Sequence, residues 1–174
     1  GSVGISMLAD SGAEYVIVGH SERRNQGDTD EVVNKKLTVV LKSGLNAILC
    51  VGERERTANG EYLSFIQNQI HTALSKIPKK MLGNLLIAYE PVWAVGSKDW
   101  KVLSPRDLHE MVLYIKKILS DMYSKEDALK VPVLYGGSTN KDNAEGILKE
   151  GEIDGLLIGR ESLDVSDFAE ILGF

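Results

Sequence analysis

Five short apolar runs, each followed by a segment of helical spacing, set the tightest limit on how this chain folds. The runs occupy residues 15–19, 45–51, 85–88, 131–135 and 154–159. Between them lie amphipathic stripes: Val32, Val33, Leu37, Val40 and Leu41 over 29–42, then Leu63, Ile66, Ile70, Ala73 and Leu74 over 61–76. Leu108, Met111, Val112, Ile115 and Leu119 follow a Ser104-Pro105 start signal, and shorter helices are predicted over 141–149 and 166–172. Strands that alternate with helices in this way require a parallel sheet joined by right-handed crossovers. The stretch 1–12 has only a brief helical pattern, closed by Gly12. No linker or low-complexity segment interrupts the alternation, so residues 1–174 read as a single domain.

Two architectures satisfy that pattern. An open doubly wound sheet binds its ligand at one switch point between two strand ends. A barrel gathers functional residues from many strand ends onto one face. Here nearly every strand ends in a polar or glycine-rich signal: His20, Glu53, Glu90, then Gly136, Gly137 and Ser138, then Gly159. That distribution favours the barrel. Barrels of eight units run to about 250 residues, so 174 residues hold roughly three βα units fewer.

Composition narrows the function classes. The chain is 43% hydrophobic and 26% charged, with a net charge of −5, and no run of Lys or Arg exceeds two residues. A nucleic-acid partner is therefore not expected. The apolar runs are too short to span a membrane, and no signal-peptide pattern opens the sequence. Cys50 is the single cysteine, which excludes an internal disulfide and a cysteine metal cluster, and fits a reducing cytoplasm.

The most informative stretch is 85–97. An apolar strand, read as buried on both faces, stops at Glu90; Pro91 turns the chain outward, Trp93 follows, and small residues with Gly96 give a segment able to move. A carboxylate at a strand's C-terminal end beside a mobile loop suits barrel chemistry. A solvated glutamate at the mouth of a loop satisfies the same spacing, and the residues alone leave both readings open. His20 sits at an equivalent strand end, where an ordinary polar residue is also common. Ser21, Glu22 and Arg23 are placed to begin a helical turn after it, whose N-terminus would favour the neutral imidazole. Gly136 and Gly137 read as a tight turn needing positive φ, one that would also expose backbone amides. His71 and His109 fall inside helices among polar residues, and Cys50 reads as a packed core thiol.

Read together, Gly19-His20-Ser21-Glu22-Arg23-Arg24, Cys50-Val51-Gly52-Glu53, Ala88-Tyr89-Glu90-Pro91-Val92-Trp93-Ala94 and Tyr135-Gly136-Gly137-Ser138 resemble the triosephosphate isomerase family, in the family's order, from about Gly4 to the end. The resemblance implies a TIM (β/α)8 barrel, here incomplete and holding about strands 4 to 8. It implies interconversion of dihydroxyacetone phosphate and D-glyceraldehyde 3-phosphate through an enediolate, a step of glycolysis and gluconeogenesis in the cytoplasm. As the family is known to work, Glu90 is the base and His20 the electrophile. Gly96, Ser138, Gly159 and Arg160 bind the phosphate, and Glu22 supports the site through Arg or Lys partners. No cofactor or metal is implied, because the reaction moves a proton and no hydride.

Three departures from the family pattern stand out. The family's amino-terminal third, with an active-site Asn and Lys and most of the loop that interlocks its homodimers, has no counterpart in these residues. The loop segment Val95-Gly96-Ser97-Lys98-Asp99-Trp100 lacks the family's second glycine. Gly159-Arg160 replaces a usual pair of glycines, leaving Arg160 either to add charge near the phosphate or to pair outward with Glu161. Little or no activity is therefore expected of these 174 residues alone. The rival readings are another phosphate-binding barrel, such as an epimerase, against which the contiguous motifs argue, and an inactive fragment that associates through open sheet edges.

Overall fold

In the computed structural model, which describes residues 3–94 and 103–173, each predicted strand run pairs with the next. The first elements are helix α1 (Ile5–Asp10), strand β1 (Tyr15–Val18), helices α2 (Ser21–Asn25) and α3 (Asp30–Lys42), strand β2 (Asn46–Val51) and helix α4 (Glu61–Ala73). Strand β3 (Leu85–Tyr89), helices α5 (Pro105–Met122) and α6 (Lys125–Lys130), and strand β4 (Val133–Tyr135) follow. Helix α7 (Ala144–Glu150), strand β5 (Gly155–Leu156) and helix α8 (Val165–Leu172) complete the order. Short 3-10 turns stand at Lys79–Asn84, Val92–Ala94 and Arg160–Leu163.

The sheet is wholly parallel, in the order β1-β2-β3-β4-β5. Every connection steps one strand in the same direction. A doubly wound sheet would reverse direction at its switch point, so this is the winding of a barrel, carried through five strands. Among the described residues the sheet ends at β1 and β5 without closing.

Side-chain alternation decides where the core sits. Ala47, Leu49 and Val51 of β2, Leu85, Ile87 and Tyr89 of β3, and Val133 and Tyr135 of β4 are buried together with the helical stripes. Those stripes are Val33, Leu37, Val40 and Leu41 of α3, Ile66, Ile70 and Ala73 of α4, and the buried row of α5 from Leu108 to Leu119. The opposite face is less covered. Ile17, Ile48 and Leu86 stand beside one another in register; Ile17 is 50% exposed, and Ile48 and Leu86 are half-buried. The strand before Glu90 is thus not buried on both faces along its whole length.

Local chemistry explains where the helices begin and where the predicted bounds fail. Thr29 caps α3, its Oγ1 accepting from the Val32 amide, and Ser104 caps α5 ahead of Pro105, accepting from the Asp107 amide at 3.1 Å. The helix predicted from 141 starts only at Ala144. Asn140 Oδ1 accepts from the amides of Asp142 and Asn143 at 2.9 and 3.0 Å, holding that segment as a side-chain-bonded turn. Helix α4 stops short of 76, where Lys76 takes a left-handed φ of 61°. Helix α6, not anticipated, rests on Ser124 accepting from the Asp127 amide at 3.2 Å. The last strand pairs only over Gly155–Leu156.

Candidate active site

The C-terminal ends of β1 to β4 converge on Glu90. Its amide donates to the Val51 carbonyl at 2.8 Å, so the residue continues the β3 ladder by one step before Pro91 ends it. The next amide, that of Val92, donates to the Glu53 carbonyl at 2.9 Å and keeps the chain against the end of β2. Glu90 is 3% exposed. Its Oε1 lies 3.2 Å from Nε2 of His20, its Oε2 accepts from the Ser21 amide at 3.3 Å, and the Cys50 thiol faces it from β2. Burial pushes the Glu90 carboxyl above its ordinary value, while His20, the Ser21 amide, the Cys50 thiol and Arg24 pull the other way; burial prevails. The solvated-glutamate reading does not survive that geometry.

His20 stands immediately before α2, the helical turn anticipated after it. Its Nδ1 accepts from the Glu22 amide at 3.3 Å, which requires a lone pair on Nδ1 and leaves the ring proton on Nε2, facing Glu90. The carboxylate and the imidazole Nε2 thus lie 3.2 Å apart where the strand ends meet. Burial pushes the Cys50 thiol up as well, so it stays protonated beside the carboxylate and does not act as a nucleophile.

Backbone approach at this point demands glycine. A Cβ on Gly52 would lie 1.8 Å from the Glu90 carbonyl oxygen, and one on Gly136 would lie 2.7 Å from Glu90 Cγ. The reading of Gly136 and Gly137 as positive-φ turn residues is corrected: neither is among the left-handed residues. Space, rather than φ, excludes a side chain there, since a Cβ on Gly137 would lie 2.2 Å from Tyr135 Oη.

Behind the pair lies a residue whose role the sequence did not disclose. Glu53, noted only as a polar strand end, is 1% exposed; it accepts from Tyr89 Oη at 3.0 and 3.1 Å and from Trp93 Nε1 at 2.8 Å. The Tyr89 hydroxyl ties Glu53 to the end of β3, and the Trp93 indole N–H ties it to the 3-10 turn after Glu90. The pairing of Val51 with Tyr89 was the signal: it brings a residue just past Val51 to the level of Tyr89. Gln69, likewise unforeseen, is buried in α4 and accepts the Gly52 amide at 2.9 Å.

The remaining predicted site residues are placed as follows. Ser138 Oγ donates to the Ala94 carbonyl at 2.6 Å, joining the loop after β4 to the turn after β3. Gly159 and Arg160 open the exposed 3-10 turn after β5, and no hydrogen bond or ion pair ties them to His20, Glu90 or Ser138. Arg160 makes no ion pair with Glu161. Glu22 is exposed, with Oε2 4.0 Å from His20 Nδ1, and among the described residues it meets no Arg or Lys; the inward basic partner is Arg24 instead. The reason is direction: Glu22 lies in the first turn of α2 on its open side, whereas Arg24 turns toward the sheet. Gly96 and the altered loop around it lie outside the described residues. His109 lies in α5 with Nδ1 3.6 Å from Glu152, and His71 in the last turn of α4. A groove of about 580 Å³ lies along the open side of β1, lined by Val3, Ile5, Leu8, Ile17, Lys36 and Val39, away from Glu90.

These features define a portion of a parallel (β/α) barrel with a buried carboxylate and an imidazole paired at the C-terminal ends of its strands. Comparison with known proteins agrees on the fold. The family model for triosephosphate isomerase matches residues 1–174. A triosephosphate isomerase of Natranaerobius thermophilus is 41% identical over 174 residues, covering 99% of this chain and 67% of the relative. That of Endomicrobium trichonymphae is 41% identical, covering 100% of this chain and 69% of the relative, and that of Mycoplasma pneumoniae is 40% identical, covering 97% and 67%. The chain belongs to the triosephosphate isomerase family, and it spans about two thirds of the length of these relatives.

Proposed function

We propose that the chain carries the catalytic carboxylate and imidazole of a triose-phosphate isomerase, interconverting dihydroxyacetone phosphate and D-glyceraldehyde 3-phosphate. The observation that supports this most is the 3.2 Å approach of the buried Glu90 carboxylate to His20 Nε2. Glu90 takes a proton from the carbon beside the substrate carbonyl and returns it to the neighbouring carbon. Its burial, which favours the protonated carboxyl, makes the carboxylate a stronger base than a hydrated one. The Nε2–H of His20 donates to the two substrate oxygens as negative charge develops on the enediolate. The proton lost from one carbon is the one gained by the next, so no redox partner enters.

The phosphate, with about two negative charges, is assigned to backbone amides of the loops after β4 and β5, at Ser138, Gly159 and Arg160, and to Gly96. Glu53, through Tyr89 and Trp93, holds the chain on either side of the base. An isomerase assay on the 174-residue chain, with Glu90→Gln as control, tests the reading. Activity above the control supports it directly. Activity absent from the chain alone but restored when a family amino-terminal segment is supplied, and again lost in Glu90→Gln, supports it for a site completed by that segment. Turnover that Glu90→Gln leaves intact in either preparation sinks the assignment of the base.

The open sheet favours a second reading. With β1 and β5 unpaired on their outer sides, the chain is an incomplete scaffold that works only when those edges are covered. Little activity is then expected of it alone.

A further inference from the structure

Arg24 has no part in the chemistry above, yet its charge acts on Glu90. Its neighbour Arg23 turns outward, donating to Gln26 Oε1 at 2.5 Å and lying 3.7 Å from Asp28. Arg24 turns inward and is largely buried. Its Nε donates to the Gly19 carbonyl at 2.6 Å, one Nη to the Cys50 carbonyl at 3.3 Å, and the other to Asp30 Oδ1 at 2.5 Å. Gly19 immediately precedes His20, and Cys50 carries the thiol that faces Glu90. One rigid planar group therefore joins the backbone that carries the imidazole to the backbone behind the carboxylate, and Asp30 at the start of α3 fixes its plane.

We propose that Arg24 is a positioning residue for the His20–Glu90 pair: its guanidinium clamps the ends of β1 and β2 and sets how imidazole and carboxylate meet. The inference rests on the reading of that pair as the proton-transfer centre. The clamp acts in two ways. The fork holds the strand ends at a fixed separation, which a lysine, with a single ammonium and no plane, does not reproduce. The charge stands on the same side as Glu90 and favours its ionised form, opposing burial. Among the described residues the groups facing Glu90 are His20, the Ser21 amide and Arg24 from the segment after β1, the Cys50 thiol from β2, and the uncharged backbone of Gly136 just after β4.

The test follows the 13C titration of the Glu90 carboxylate, assigned through Glu90→Gln, and the 15N shifts of the His20 ring, in the full 174-residue chain. In Arg24→Gln, Glu90 is expected to titrate at a higher pH than in the parent. In Arg24→Lys, which keeps the charge and loses the fork, Glu90 is expected to titrate near the parent value. The His20 ring in that variant loses its single-tautomer pattern. In any preparation that turns over, both variants are expected to lose about tenfold or more in kcat with KM within about twofold. A folded Arg24→Gln chain with an unmoved Glu90 titration overturns the proposal. So does an Arg24→Lys chain with the parent His20 pattern, which decides alone if the Gln variant does not fold. Neither NMR readout needs turnover, so a failure of the isomerase reading in the assay stays separate from a failure of this one.

Discussion

At the scale of single residues, the site is made by what is kept away from water. Glu90 is buried beside an imidazole, and burial raises its folded-state pKa above the unfolded value near 4.5. The sign of the resulting stability effect follows. Below about pH 4.5 the carboxyl is protonated in both states and burial costs no charge; as pH rises through the folded value, that contribution to stability is lost. Glu90→Gln stays neutral throughout, so its stability relative to the parent is expected to rise as pH rises from 4 to 8. Urea unfolding at several pH values reads this, and a difference constant across that range would contradict it. Gly136 offers a steric counterpart. The Cβ of Gly136→Ala would sit 2.7 Å from Glu90 Cγ, so the carboxylate must move. A misplacement on the order of 1 Å costs about 10²-fold in rate. Gly136→Ala is therefore expected to lose about that much kcat in an active preparation, with circular dichroism unchanged; parent-like turnover would mean that the base tolerates displacement.

At the scale of elements, the helices owe their starts to side chains readable in the sequence. That holds for α3, α5, α6 and α8, whereas α1, α4 and α7 have no side-chain cap. Ser104 accepts from the Asp107 amide and precedes Pro105, so Ser104→Ala is expected to cost about 1 kcal/mol, seen as a lower denaturation midpoint at unchanged slope. The strands and α4 were legible from apolar period, and α3 and α5 from period and cap signals together. Helix α6 was not, since six residues show too little period, and the start of α7 was displaced because Asn140 and Asn143 bond their own backbone. The candidate site divides along similar lines. His20 and Glu90 stand in unbroken motifs at strand ends, which sequence order displays. The work of Arg24, Glu53 and Gln69 lies in contacts at or just past strand ends, 17 to 40 residues away, and only the strand register discloses those. Gly136 and Gly137 were legible as obligatory glycines but for the wrong reason, since crowding by Glu90 and Tyr135 is a tertiary fact.

At the scale of the whole molecule, the helices cover one face of the sheet and leave the other, with both edges, short of partners. Strand β1 presents an unpaired edge, and beside it Tyr15, Ile17 and Val39 are exposed around an apolar groove. The row Ile17, Ile48, Leu86 continues that surface across three strands. An edge that is apolar and unpaired recruits further strands unless something blocks it; of the basic residues at the groove, Lys36 and Arg23 are paired with Asp28, which leaves Lys35 as the weak guard. The chain alone is therefore expected to associate as its concentration rises. Ile17→Lys puts a charge in the middle of β1 on the uncovered face, where association would bury it, and so is expected to shift the distribution toward monomer. Because Ile17 is already half in solvent, the folded monomer loses little by the change, and its denaturation midpoint is expected to stay close to that of the parent. Sedimentation velocity across a hundredfold concentration range distinguishes the cases. A parent chain monomeric throughout would mean that the uncovered face and edge are tolerated in water. Association undiminished in Ile17→Lys would move the contact from β1 to the other open edge, at β5.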